Sequence, residues 1–129
     1  AQIDLEIRKF ENGYDTVLGE RGVTLSGGQA QRISIARSFI KDSEIYLFDD
    51  CFSSLDSDTE DKILRNLKNN FQKKTLIIIS HRVSCVKDAD NIIVLDNGKI
   101  IQSGSHNELV KNKGYYKDLY LKQNREIND

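Results

Sequence analysis

Along the 129-residue chain, stretches of helical apolar spacing alternate with short apolar runs, without internal repeats or low-complexity tracts. Ile3, Leu5, Ile7 and Phe10 stand among charges, a mixed pattern that fits the tail of a helix. The clearest helix begins after Ser26. Ile33, Ile35, Ala36, Phe39 and Ile40 recur at roughly helical spacing up to Lys41, and Ser26 with Gln29 forms an S-x-x-Q capping box. Ile45-Tyr46-Leu47-Phe48 then ends in two aspartates, the pattern of a strand buried on both faces of a parallel sheet, and Thr75-Leu76-Ile77-Ile78-Ile79-Ser80 repeats that form. Between them, residues 57–71 place Ile63, Leu64 and Leu67 at helical spacing, which supplies the crossover that two parallel strands require. The pattern predicts an α/β fold. Ile92 to Leu95 and Lys99 to Gln102 flank Asp96-Asn97-Gly98, a turn that reads as a hairpin at the sheet edge. Two short helices follow, over residues 106–110 and 115–123, broken at Gly114. Tyr115, Tyr116 and Tyr120, at helical spacing, read as packing residues.

Composition narrows the possibilities. Lys and Arg total 19 against 20 Asp and Glu, so a net charge of −1 gives no electrostatic reason to expect nucleic acid or an anionic membrane surface. Cys51 and Cys85 form no CxxC or Cys/His cluster and read as free thiols. No apolar run approaches the roughly 20 residues of a spanning helix, and the first residues lack a signal-peptide pattern, so the chain reads as soluble. The sequence contains no Met, which suggests a piece of a longer protein.

The candidate chemistry centres on Leu25-Ser26-Gly27-Gly28-Gln29. A helix begins with N–H groups that have no partner inside it and with the positive end of its dipole, so its mouth is an anion site. Gly27 and Gly28 remove side chains that would block a phosphate, Ser26 adds a hydroxyl, and Gln29 can cap the helix or bond a ligand. Elsewhere, Asp49 and His81 each stand at the end of an expected strand.

These segments, with Ser53-Ser54-Leu55-Asp56 between Asp49-Asp50 and Ser80-His81-Arg82, resemble the ATP-binding cassette family in order and spacing over essentially the whole chain. In that family they are the signature motif, the Walker B strand, the D-loop and the switch histidine. The resemblance implies part of a RecA-like P-loop NTPase core. On that reading residues 1–41 end a helical subdomain carrying the signature, 42–105 belong to the core, and 106–129 form a helical tail. It further implies ATP and Mg²⁺ as cofactors of the complete protein. Ser26, Gly27, Gly28 and Gln29 would meet the γ-phosphate of a nucleotide held by a second nucleotide-binding domain, in a head-to-tail sandwich. Asp49 would hold Mg²⁺ through water. Asp50 would stand where the family usually has a glutamate as general base, and His81 would reach the γ-phosphate. Ser54 and Asp56 would lie across the dimer interface. Thr16-Val17-Leu18-Gly19-Glu20-Arg21-Gly22 is similar to the exporter loop that touches the membrane domain, and Gly104-Ser105-His106-Asn107-Glu108-Leu109 to an exporter tail. The location implied for the full transporter is the cytoplasmic face of the cell membrane.

Two departures qualify that resemblance. The loop G-x-x-x-x-G-K-[ST] does not occur in these residues, so the expectation is the C-terminal half of a nucleotide-binding domain, which alone neither binds ATP tightly nor hydrolyses it. Asp50 is one methylene shorter than glutamate, and misplacing a catalytic group by about 1 Å costs roughly a hundredfold in rate. The expectation is therefore a slow own site in one half of an asymmetric heterodimeric exporter. Three alternatives remain at this point: a soluble cassette ATPase acting on nucleic acid or the ribosome, an importer cassette, and a noncatalytic interaction module. The first typically needs a coiled coil or basic insertion, and a module gives no reason for Asp49, Asp56 and His81 together.

Overall fold

The computed structural model describes residues 1–19 and 22–128. They form two structural units that divide between Ile79 and Ser80. In the first, a short helix α1 (Asp4–Ile7) and a 3-10 turn (Gly13–Asp15) precede α2 (Gly27–Ser38), β1 (Ile45–Asp49), α3 (Ser57–Asn70) and β2 (Thr75–Ile79). The strands pair in parallel, from Ile45 opposite Thr75 to Asp49 opposite Ile79, with α3 as their crossover.

Helix α3 follows from its own residues. The Asp56 carboxylate caps it by accepting from the Thr59 N–H at 2.9 Å, and Ile63 and Leu67 carry its buried stripe. Its C-cap, Phe71, joins an aromatic cluster in which the rings of Phe39 and Tyr46 each lie 5.0 Å from it. Tyr46 and Phe48 of β1 are buried in the same core as Ile35, Phe52 and Leu55. Each fully buried side chain of this kind stabilises by about 1.5–3 kcal/mol.

Three expectations are corrected in this unit. Strand β1 is buried on one face only: Ile45 and Leu47 are 61% and 62% exposed, because side chains alternate across a strand and the described residues cover the Tyr46/Phe48 face alone. Ile77 and Ile79 continue the open face on β2. Helix α2 stops at Ser38 rather than Lys41, and Phe39 takes the C-cap. The chain has left the helix by Ile40, which is 84% exposed rather than part of a buried stripe.

The second unit contains α4 (Val83–Val86), which the apolar pattern did not signal, the hairpin β3 (Ile92–Asp96) and β4 (Lys99–Gly104), and helices α5 (His106–Lys111) and α6 (Tyr115–Asn128). Asn97 and Gly98 both have positive φ, +47° and +73°, the conformation of a two-residue hairpin turn, which glycine adopts without a Cβ clash. The hairpin is antiparallel and forms a sheet of its own among the described residues, not an edge of the β1–β2 sheet as expected.

Ser105 and Glu108 form a capping box at the start of α5. Val83, Ile92, Leu109 and Tyr116 make the core. Tyr116 is 2% exposed and its hydroxyl lies 2.8 Å from His106 Nδ1, while Tyr120 is half-buried against the same imidazole. Tyr115 is 59% exposed, so it does not share the packing role expected of the three tyrosines. Helix α6 continues past residue 123 to Asn128.

Candidate functional site

The mouth of α2 is built by the expected capping box. The Gln29 N–H donates to Ser26 Oγ at 3.2 Å and the Ser26 N–H donates to Gln29 Oε1 at 2.9 Å. Gln29 Nε2 donates in turn to Glu6 Oε2 at 2.9 Å, so both ends of this amide are engaged inside the unit. Glu6 also pairs with Arg32, whose Nε and Nη1 donate to the carbonyls of Gly28 and Gln2. The hydrogen bonds from Arg32 first, and from Gln29 second, hold the Glu6 carboxyl below its ordinary value. Of the four residues expected to meet a ligand, Gln29 is thus committed to the helix. Ser26 accepts through its oxygen and keeps a hydroxyl proton to donate.

The two glycines differ in what surrounds them. A Cβ on Gly28 would stand 3.0 Å from the Ser54 carbonyl oxygen, tighter than an ordinary contact, so a side chain there requires that backbone carbonyl to give way by a few tenths of an ångström. On Gly27 the nearest atom would be Ser54 Oγ at 3.6 Å, an ordinary contact. Packing inside the chain therefore accounts for glycine at 28 and not at 27. The N–H groups of both belong to the first turn, where a helix has no internal acceptor to offer.

The segment carrying Ser54 is tied to α2 by Gln31. Its Oε1 accepts from the Ser54 N–H at 3.0 Å, and its Nε2 donates to Ser53 Oγ at 3.1 Å. Ser53 Oγ donates to the Asp50 carbonyl at 3.1 Å. The structure thus brings Gly27 and Gly28 next to Ser54. Asp56 caps α3 just beyond, and the backbone N–H of Thr59 with its hydroxyl holds the Asp56 carboxyl below its ordinary value.

Asp49 and Asp50 close β1, both exposed. Asp50 has left the strand conformation, with φ at +47°, and its N–H donates to the Ile79 carbonyl at 2.9 Å. A non-glycine residue in the left-handed region is uncommon, and aspartate is among those that accept it most readily. Among the described residues no three His, Cys, Asp or Glu side chains converge to hold a metal ion. A divalent cation at Asp49 would take most of its oxygen ligands from a bound phosphate and water, which suits Mg²⁺.

His81 belongs to the second unit and is exposed. Its carbonyl accepts from Gln123 Nε2 at 2.8 Å, and the same side chain's Oε1 accepts from the Val83 N–H at 2.9 Å. Of the loop from Thr16 to Gly22, Glu20 and Arg21 lie outside the described residues; Val17 and Leu18 are exposed. Glu6, Gln31 and Gln123 escape the sequence reading. Each acts on a partner 23 or more positions away, and no local pattern marks a side chain that does so.

The chain is similar to known proteins over most of its length. Residues 1–53 match the family described as ABC transporter. The multidrug resistance-like ATP-binding protein MdlA of Escherichia coli is 46% identical over 126 residues, 98% of this chain and 21% of that protein. An ATP-dependent lipid A-core flippase of Alkalilimnicola ehrlichii is 44% identical over 117 residues, 91% of this chain and 20% of its own length. A bacterial Atm1-family ABC exporter solved with ATP bound superposes with a TM-score of 0.88 at 42% identity, over 94% of this chain and 21% of that one. Fold and motifs define a stretch of a nucleotide-binding domain of the P-loop NTPase class. The chain belongs to the ATP-binding cassette family, in its exporter branch. It spans about a fifth of the length of the curated relatives it matches, and no described helix is long and apolar enough to cross a membrane.

Proposed function

We propose that the chain serves as the C-terminal part of an exporter's ATP-binding half, coupling ATP binding and hydrolysis to transport at the cytoplasmic face of a membrane. Residues 1–41 would end the helical subdomain, 42–105 belong to the catalytic core and 106–129 form the tail. The loop near Thr16 and Gly22 would touch the membrane domain. The observation that carries this reading is the bare, exposed mouth of α2: Gly27 has room for a side chain that no neighbour among the described residues forbids.

In a head-to-tail sandwich that mouth would face the nucleotide of the second nucleotide-binding domain. The Ser26 hydroxyl and the Gly27 and Gly28 N–H groups would donate to its phosphate, while Gln29 holds the helix start. Ser54 and Asp56 would sit beside this contact, on the segment anchored by Gln31. In the complete protein, Mg-ATP would supply the phosphate to be cleaved and a cation that neutralises charge. Asp49 would orient water on that cation, Asp50 would take the proton of the attacking water, and His81 would hold the γ-phosphate oxygen.

The Asp50 carboxylate falls one methylene short of the glutamate the family usually has there, which makes this site slow and points to a partner half with a faster one. In the complete transporter Asp50→Glu should raise single-site turnover by about tenfold or more, part of the roughly hundredfold that a 1 Å misplacement costs. An unchanged rate at this site would count against the catalytic deficit.

A further inference from the structure

We infer that Gln123, on the C-terminal helix α6, is a positioning residue for His81. The inference rests on the reading of His81 as the γ-phosphate residue. The primary amide of Gln123 spans two backbone groups of one short segment, donating to the His81 carbonyl at 2.8 Å and accepting from the Val83 N–H at 2.9 Å. Val83 is the first residue of α4, so its N–H is one a helix start leaves without an internal acceptor. Val83 is also 4% exposed, in the core with Ile92, Leu109 and Tyr116. One end of the segment is fixed by burial.

The other end carries His81, whose side chain is exposed. Its backbone is held from α6 across 42 positions of sequence. The turn between them is closed by the Arg82 N–H, which donates to Ser80 Oγ at 3.0 Å. With the carbonyl of 81 and the N–H of 83 both bound to one planar group, the peptide planes on either side of Arg82 are held, the first of them being the one that follows the His81 Cα.

Only a carboxamide at that length satisfies both groups. A carboxylate would retain the Val83 bond but set a negative oxygen against the His81 carbonyl, and alanine would leave both backbone groups without this partner. The C-terminal helix is thereby part of the γ-phosphate site without touching the nucleotide.

The test uses the complete transporter. Single-turnover hydrolysis at this half is read as labelled ADP formed from a photoreactive ATP analogue crosslinked to it, for Gln123→Ala, Gln123→Glu, His81→Ala and the double variant Gln123→Ala/His81→Ala. Both Gln123 variants should slow hydrolysis about five- to tenfold with half-saturating ATP changed less than about twofold, the range lost with one or two hydrogen bonds. In the His81→Ala background Gln123→Ala should add less than about twofold, because a residue that acts through the imidazole has nothing left to position. A full multiplicative loss in that background, or unaltered hydrolysis in both single variants, overturns the inference. If Gln123→Ala fails to assemble, Gln123→Glu, which keeps the Val83 bond, carries the comparison. Unchanged hydrolysis in His81→Ala would instead remove the reading of His81 itself.

Discussion

Gly27 and Gly28 are adjacent and chemically identical, yet the structure gives them different reasons to be glycine. A methyl at 28 would press on the Ser54 carbonyl at 3.0 Å, whereas one at 27 would meet the Ser54 side chain at 3.6 Å, an ordinary contact. Substitution should therefore separate them. Gly27→Ala should leave thermal stability unchanged or slightly higher, since alanine at a helical position restricts the unfolded chain more than the folded one. In the assembled transporter it should still cut turnover about a hundredfold, the cost of displacing reacting groups by about 1 Å. Gly28→Ala should lower both, because the Ser54 carbonyl and the turn on it must shift. Calorimetric melting beside ATPase rates distinguishes the two, and full turnover in Gly27→Ala would remove the phosphate role from the α2 mouth. The capping box of Ser26 and Gln29 was legible in the sequence because its two bonds join residues three positions apart. That Gln29 would spend its other end on Glu6 was not, since nothing in the pattern near Glu6 points 23 positions ahead.

At the scale of elements, the contact between α1 and α2 is electrostatic. Glu6 of α1 accepts from Gln29 and Arg32 of α2, and Arg32 reaches back to the Gln2 carbonyl. The folded state thus binds the Glu6 carboxylate more firmly than its acid, and the carboxyl lies below its ordinary value of 4.5. The stability it contributes is fully present above about pH 4.5 and is lost as the pH falls through the lower folded value. Glu6→Gln removes that charge at every pH. Urea unfolding should show wild type more stable than Glu6→Gln at neutral pH, with the gap closing below about pH 4.5. A gap that stays constant into acid would mean that the ion pair contributes nothing to the fold. The elements themselves followed the apolar pattern where periodicity and local stop signals coincide, as in α3 and in the Asn97-Gly98 hairpin. The pattern failed at α4, whose four residues are too few for a period to show, and at the end of α2, where Ile40 continues the apolar spacing after the backbone has stopped being helical.

At the scale of the molecule, the α/β class was legible, but the depth of burial was not. The runs Ile45-Tyr46-Leu47-Phe48 and Thr75-Leu76-Ile77-Ile78-Ile79 read as strands covered on both faces, and the described residues cover one. Leu47 and Ile77 stand opposite each other in register, with Ile45 and Ile79 along the same open face. These four side chains are 46% to 62% exposed, with a parallel pair of strands beneath them. Contiguous apolar surface of this kind marks a place where another surface binds, and a two-stranded sheet also presents backbone groups along its edges. Studied by itself, the 129-residue chain should therefore self-associate through this face. Leu47→Lys with Ile77→Lys places charge on the open side without touching the Tyr46/Phe48 core, so it should shift the chain toward monomer in sedimentation velocity while its circular dichroism stays the same. If the double variant associates as strongly as wild type, the open face is not what drives association, and the apolar hairpin residues Ile93, Leu95, Ile100 and Ile101 become the next surface to charge.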